Sequence, residues 1–272
     1  MASVPLDAAT DCIRHYSWKA GEQSVIQALK PTIVISEAGQ PKFGQSKFRG
    51  FPDTPDNMVL DIGREDNFLF QLNFAEIAPF DSQNLLPTEG MLYVFLKGLQ
   101  SNGAYPDAKE DLKLIYIPES IQSNRSTDGK RMSFEISHTL PGYKSSEYEK
   151  LNLGEDFDTL QKVVRSIQEI DGSDDYSSNL LGHPQQTQYN PWFYHFRQNI
   201  WKLHGRAPSD PEKYKVWNEK YESEMKTLND SHVLLYQGAT PFNSLAILYI
   251  GISKEDLENR NFSAAFYDIQ ST

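Results

Sequence analysis

Phe68-Leu69-Phe70-Gln71-Leu72-Asn73, an apolar run that turns polar at Gln71, is followed after Leu86-Pro87-Thr88-Glu89-Gly90 by Met91-Leu92-Tyr93-Val94-Phe95. The same order recurs later in the chain: Val233-Leu234-Leu235-Tyr236-Gln237, then Leu245-Ala246-Ile247-Leu248-Tyr249-Ile250. Short runs rich in β-branched and aromatic residues and bounded by turn residues read as strands. A strand stopping on an uncharged amide, a turn, and a strand centred on Tyr therefore occur twice. This predicts one folding unit used in each half.

Working outward, Ala8, Cys12, Ile13, Tyr16, Ala20, Ile26 and Leu29 recur at roughly helical spacing and predict a helix over 7–30, weakened at Gly21 and ended by Pro31. Thr32-Ile33-Val34-Ile35 reads as a strand, and Leu112-Lys113-Leu114-Ile115-Tyr116-Ile117 as another. Between the first strand and Gln71, Gly50-Phe51-Pro52 forbids regular structure and favours a fixed loop; Gly182-His183-Pro184 stands at the matching place in the second half. The polar stretch 120–131 reads as a surface loop.

Phe157, Leu160, Val163, Val164, Ile167 and Ile170 predict an amphipathic helix over 156–170, with Glu155, Asp156 and Asp158 at its positive end. Two further helices are predicted around Trp192, Phe193, Phe196, Ile200 and Leu203, and after Pro211. Ser253 to Asp256 resembles a capping box, and 264–269 suits a last strand. Strands and helices at unequal intervals, with no regular βαβ rhythm, predict an α+β fold. The expected form is one compact domain over 1–272, internally duplicated at about 31–135 and 155–272, with two similar halves on mostly antiparallel sheets and peripheral helices.

An aromatic fraction of 12% within 39% hydrophobic residues excludes a disordered chain. With 26 Lys+Arg against 37 Asp+Glu, the net charge of −11 repels phosphate backbones and anionic lipid, which argues against nucleic-acid and membrane partners and leaves a basic protein as the partner class. The lone Cys12 has no partner thiol for an internal disulfide or a CxxC metal or redox motif, which points to a reducing, cytoplasmic compartment. No basic segment leading into an apolar stretch opens the sequence, and the sequons at Asn124, Asn229 and Asn261 then read as chance matches.

Of the six histidines, His15, His138, His183, His195, His204 and His232, none belongs to an HExxH or other metal-ligand pattern, so neither metal nor cofactor is expected. Asp171-Gly172-Ser173-Asp174-Asp175 starts like a calcium loop, but Tyr176 takes the turn-glycine position and Gly182 that of the bidentate Glu. His183, held between Gly182 and Pro184, is the catalytic candidate; packing against the matching loop is the competing reading. Gln71 and Gln237 are a candidate pair. A buried amide must satisfy up to four hydrogen-bonding positions, so each Gln is expected to tie down the backbone of a Gly-x-Pro loop. The competing reading has both amides facing a shared cleft and a polar ligand. The aromatics Tyr189, Trp192, Phe193, Tyr194, Phe196 and Trp201 are core by default, with a recognition patch as the second reading.

The chain resembles the YwqG-like family of mainly bacterial proteins. The motifs carrying this resemblance are Ser46-Lys47-Phe48 with Gly50-x-Pro52, Phe70-Gln71-Leu72-Asn73 with Ala75-Glu76, Leu86-Pro87 with Gly90-x-Leu92-Tyr93-x-Phe95, Leu180-Leu181-Gly182-x-Pro184 with Gln188, Leu234-Leu235-x-Gln237, Leu248-Tyr249 and Gln270-Ser271. The resemblance implies a duplicated α+β fold and no established activity. The family's usual Trp-Gly-Asp-x-Gly turn before the second Tyr strand is replaced by Pro241-Phe242-Asn243-Ser244-Leu245-Ala246. The function expected is a non-catalytic binding module that masks a basic partner, a toxin being one example. The alternative is a small-molecule hydrolase with its cleft between the halves, His183 as acid or base, and Gln71 or Gln237 as oxyanion donor.

Overall fold

A computed structural model of the protein describes residues 4–271 apart from 20, 56–57, 65, 98–110, 120, 122, 124, 143–144, 152, 154–155, 173–176, 186–187, 189 and 241–242. Its strands are β1 (Lys30–Glu37), β2 (Lys47–Phe48), β3 (Asp66–Asn73), β4 (Met91–Lys97), β5 (Leu112–Ile117), β6 (Lys130–Thr139), β7 (Ser178–Leu180), β8 (His232–Thr240), β9 (Asn243–Ser253) and β10 (Phe266–Ser271). They hydrogen-bond, every pair antiparallel, in one sheet of order β5-β4-β3-β2-β6-β1-β7-β8-β9-β10. The helices are α1 (Leu6–Arg14), α2 (Glu22–Gln27), α3 (Phe74–Ile77), α4 (Ser146–Leu151), α5 (Phe157–Asp171), α6 (Phe193–His204), α7 (Pro211–Ser231) and α8 (Lys254–Glu258). The α+β class holds, on one continuous sheet.

Alternation along β4 explains the arrangement of the core. Leu92, Val94 and Leu96 enter an inner cluster with Ile33, Phe70, Leu72, Phe134, Tyr236, Leu248 and Ile250. Met91, Tyr93 and Phe95 point the other way, to a cluster with Leu60 and Ile117. Both faces of β4 are thus buried, which is why its sequence reads as an unbroken apolar run. The sheet curls around the inner cluster: Tyr116 on the edge strand β5 meets Phe262, just ahead of the other edge strand β10, with ring centroids 5.1 Å apart. On the outer face, Trp192 ahead of α6, Phe196 and Ile200 of α6 and Met225 of α7 cover Leu234, Ile247 and Tyr249. Ala9 and Ile13 of α1, Val25 of α2, and Leu160, Val163 and Ile167 of α5 form a third outer cluster, with α1 and α5 lying against β6.

Two expectations need correction. The N-terminal helix is two helices, because Trp18 Nε1 donates to Ile13 O at 2.8 Å and the Asp156 carboxylate accepts from the backbone N–H of Lys19 (3.0 Å) and Gly21 (3.2 Å), turning the chain between them. The stretch 120–131 runs at its end into β6, a ten-residue strand the sequence reading did not assign although Met132, Phe134, Ile136 and His138 alternate. The short β7 and α4 were likewise unassigned. The calcium-like loop at 173–176, the turn at 241–242, Glu155, Asn124 and Tyr189 lie outside the described residues, as do the side chains of Phe193, Tyr194 and 243–245.

Candidate functional site

Lys47, Gln71 and Tyr93 lie opposite one another on β2, β3 and β4. The loop after β2 folds over them and brings down Asp53. Gln71 Oε1 accepts from Asp53 N–H at 2.8 Å, and Gln71 Nε2 donates to Gln45 O at 2.7 Å and to Asp53 Oδ2 at 3.0 Å. Tyr93 Oη donates to Asp53 O at 2.5 Å. Burial, and then the Asp53 carboxylate, push the Tyr93 phenol well above its usual range, so it stays a donor. Lys47, 0% exposed, donates from Nζ to Asp53 Oδ1 and to Thr127 Oγ1, both at 2.8 Å. Gly44 N–H and Thr127 Oγ1 complete the shell around the Asp53 carboxylate. A lysine without solvent is tolerated because a carboxylate and a hydroxyl accept hydrogen bonds from it.

Asn179, Gln237 and Tyr249 lie opposite one another on β7, β8 and β9 in the same way. Gln237 Oε1 accepts from Gln185 N–H at 2.8 Å, and Tyr249 Oη donates to Gln185 O at 2.7 Å. Gln185 thus takes here the contacts that Asp53 takes in the first junction, and Asn179 stands where Lys47 stands. Both loops turn on a left-handed pair, Arg49 (φ 59°) with Gly50 (φ 77°) and Leu181 (φ 61°) with Gly182 (φ 78°). A Cβ on Gly182 would sit 2.5 Å from Thr139 Oγ1, so glycine is required there on two counts. Pro52 and Pro184 follow each pair. Both Gln-bearing strands also carry a register shift just before the amide, between Phe68 and Phe70 and between Leu234 and Tyr236. Gln188 fastens the second loop further: its N–H donates to Gln270 Oε1 at 3.0 Å and its Nε2 to Ser271 O at 2.5 Å.

The two loops diverge at their central residue. Phe51 is 77% exposed, whereas His183 is 3% exposed, with its N–H donating to Thr139 Oγ1 at 2.7 Å and its Nε2 to Ala28 O at 2.8 Å. Burial, aided by the Lys30 charge, holds the His183 imidazole down to about 3. Such a ring is neutral at physiological pH, and its Nε2 is already committed to a carbonyl. The other described histidines do not form a reactive set: His15 meets the Tyr16 ring edge-on, His138 Nδ1 meets Val4 O, His195 stacks on Phe266, His204 pairs with Glu224, and His232 Nδ1 meets Leu228 O. Among the described residues there is no group of three or more His, Cys, Asp or Glu side chains able to hold a metal.

Two cavities adjoin the second junction. One of about 40 Å³ is lined by Gln237, Gln185, Asn179, Thr32 and Asp171 but not by Gln71, so the two amides do not share it. It has room for a water molecule rather than a substrate. The other, of about 610 Å³, opens on the far side of the Gly182-His183-Pro184 loop and is bounded by α4 and the α7–β8 junction. The buried pair Lys47 and Asp53 was not anticipated from the sequence, nor was this cleft.

Residues 46–271 match the family described as Domain of unknown function (DUF1963). No curated protein matches the chain.

Proposed function

The chain belongs to the DUF1963 family of domains of unknown function, and from that premise we propose that it is a non-catalytic binding module built from two copies of one folding unit. The observation that carries this reading is the commitment of the polar side chains that the sequence singles out as candidate site residues. Gln71, Gln237, Tyr93 and Tyr249 are bonded to the main chain of the loops above them, and His183 is bonded to Ala28 O and held neutral. A general acid or base needs a proton it can exchange near the working pH, and these groups are spent on holding loops. The hydrolase alternative would require His183 to leave its carbonyl.

The strand order supports the duplication. Exchanging each of β1 to β5 with its counterpart five strands later leaves the order of the sheet unchanged, with β2 beside β6 and β7 beside β1. We therefore set the repeat boundary between β5 and β6, which gives β6 to the second unit, within one domain that shares a single sheet. We also read the family more finely as YwqG-like, on the paired motifs around Gln71 and Gln237.

The partner we propose is a basic protein in a reducing, cytoplasmic setting, since a net charge of −11 gives long-range attraction for it. Affinity capture from a native lysate should return a stoichiometric basic protein that high salt releases. A panel of ester, phosphate and amide substrates should show no turnover. Turnover that disappears in His183→Ala would sink the reading.

A further inference from the structure

We propose that the cleft of about 610 Å³ between the Gly182-His183-Pro184 loop, α4 and the α7–β8 junction binds a small anion carrying phosphate groups. This site goes beyond the partner reading and stands or falls independently of it. Its volume lies within the roughly 300–1,000 Å³ of small-molecule sites. Three ammonium groups reach into it from distant parts of the chain: Lys30 at the start of β1, Lys150 on α4 and Lys254 at the start of α8. Two carboxylates, Glu147 and Asp230, share the lining. Among the described residues that line it, the cleft is thus a cationic island, with three positive groups against two negative ones, in a protein whose net charge is −11.

The internal bonds leave that positive charge incompletely matched. Lys150 Nζ lies 3.3 Å from Asp230 Oδ1, and Lys254 Nζ donates to Asp230 O at 2.8 Å. Lys30 Nζ is 3.9 Å from Glu147 Oε1, beyond hydrogen-bonding distance. Burial, and the nearby Lys254 and Lys150, draw the Lys30 ammonium below its usual range against the opposite pull of Glu147 and Asp230. Each ammonium offers three N–H donors, and among the described residues Lys150 and Lys254 spend one each in a hydrogen bond, which leaves donors for a ligand with several acceptor oxygens. Lysine binds phosphate as a compact point charge, whereas planar bidentate capture of a carboxylate favours arginine, which is absent from the described residues lining the cleft. The backbone of the loop supplies a rigid wall, since Gly182 cannot be replaced without a clash and His183 is bonded at both its N–H and its ring.

Calorimetric titration of the full chain with inorganic pyrophosphate, with citrate in parallel, tests the proposal. Pyrophosphate should bind at one site per chain, more weakly as salt rises. Lys254→Gln should weaken binding about tenfold, the change that corresponds to about 1.4 kcal/mol, while Lys226→Gln, on the exposed part of α7, should leave it unchanged. Glu147→Gln, which removes a negative group from the lining, should tighten binding, a gain that misfolding would not produce. No heat at saturating pyrophosphate overturns the proposal, as does equal weakening by Lys226→Gln, which would mean diffuse surface attraction. Tighter binding of citrate than of pyrophosphate would overturn the phosphate assignment. Failure of the basic-partner capture would leave all of these outcomes as they are.

Discussion

The rings of Phe70 and Tyr236 lie with centroids 4.4 Å apart and planes inclined at 36°, although four strands separate β3 from β8 in the sheet. Adjacent strands rotate by roughly 20–25° relative to one another, and over this many strands the accumulated twist and coil bring the two inner faces together. The two residues occupy the same station on their strands, one position before Gln71 and Gln237. Their contact is therefore the point where the two sets of strands meet across the inner core.

Phe70→Ala should cost about 3–5 kcal/mol, the usual range for emptying a phenylalanine site in a core. A double-mutant cycle with Tyr236→Ala should return a coupling of roughly 0.5–1.5 kcal/mol. Urea denaturation of the four proteins measures both. Simple additivity would mean that the curled sheet does not bring the rings into contact in solution.

Gln71→Ala removes one acceptor and two donors from buried partners, leaving Asp53 N–H, Gln45 O and one Asp53 oxygen short of a bond. Each such group costs about 1–3 kcal/mol, so a total near 3 kcal/mol is expected. Gln237→Ala strands Gln185 N–H and should cost about half as much. Calorimetric melting checks the order. A Gln71→Ala protein that melts with the wild type would end the loop-anchoring role.

The ion pair in the first junction and the neutral amides in the second allow a sharper test. Lys47→Met leaves the Asp53 carboxylate, 2% exposed, without its cation and should cost about 3–5 kcal/mol. Asp53→Asn should cost a similar amount for the converse reason. Replacing both residues together, Lys47→Asn with Asp53→Gln, copies Asn179 and Gln185 and should recover at least half of the summed loss. A double variant as unstable as that sum would show that the two junctions are not interchangeable.

What could be read in advance follows the range of the interactions involved. The Gln-ended and Tyr-centred strands were legible because burial on both faces writes itself into a short, continuous apolar run. β2 and β7, of two and three residues, are too short for any period, and β6 was hidden behind the polar entry Lys130-Arg131. The break between α1 and α2 depends on Asp156, far along the chain. In the site, an amide among apolar residues was conspicuous, so Gln71 and Gln237 could be named. Lys47 reads as a surface residue because its burial depends on Asp53 and on Thr127, eighty positions away. The lysines of the cleft come from three distant segments and carry no local signal.

Stability should fall on the acid side through the buried histidines. The His183 imidazole is held down to about 3 when folded, by burial first and the Lys30 charge second, against about 6.5 in an unfolded chain. Between these values the unfolded state binds the extra proton, so stability is lost as pH falls from about 6.5 towards 3 and is flat above. The full contribution is about 4–5 kcal/mol at most. His138 and His232 are lowered by burial and act in the same direction. Asp268 opposes them: burial raises its carboxyl to about 6, so the folded state holds the extra proton between about 4 and 6 and gains stability as pH falls through that window. Urea unfolding from pH 3.5 to 8 should therefore give a slope that flattens in His183→Gln, which keeps an N–H donor of similar reach without the titrating proton, and steepens between pH 4 and 6 in Asp268→Asn. If His183→Gln left the slope of the wild type unchanged, the imidazole would be exchanging its proton in the folded state, and the argument that it is unavailable for catalysis would fail with it.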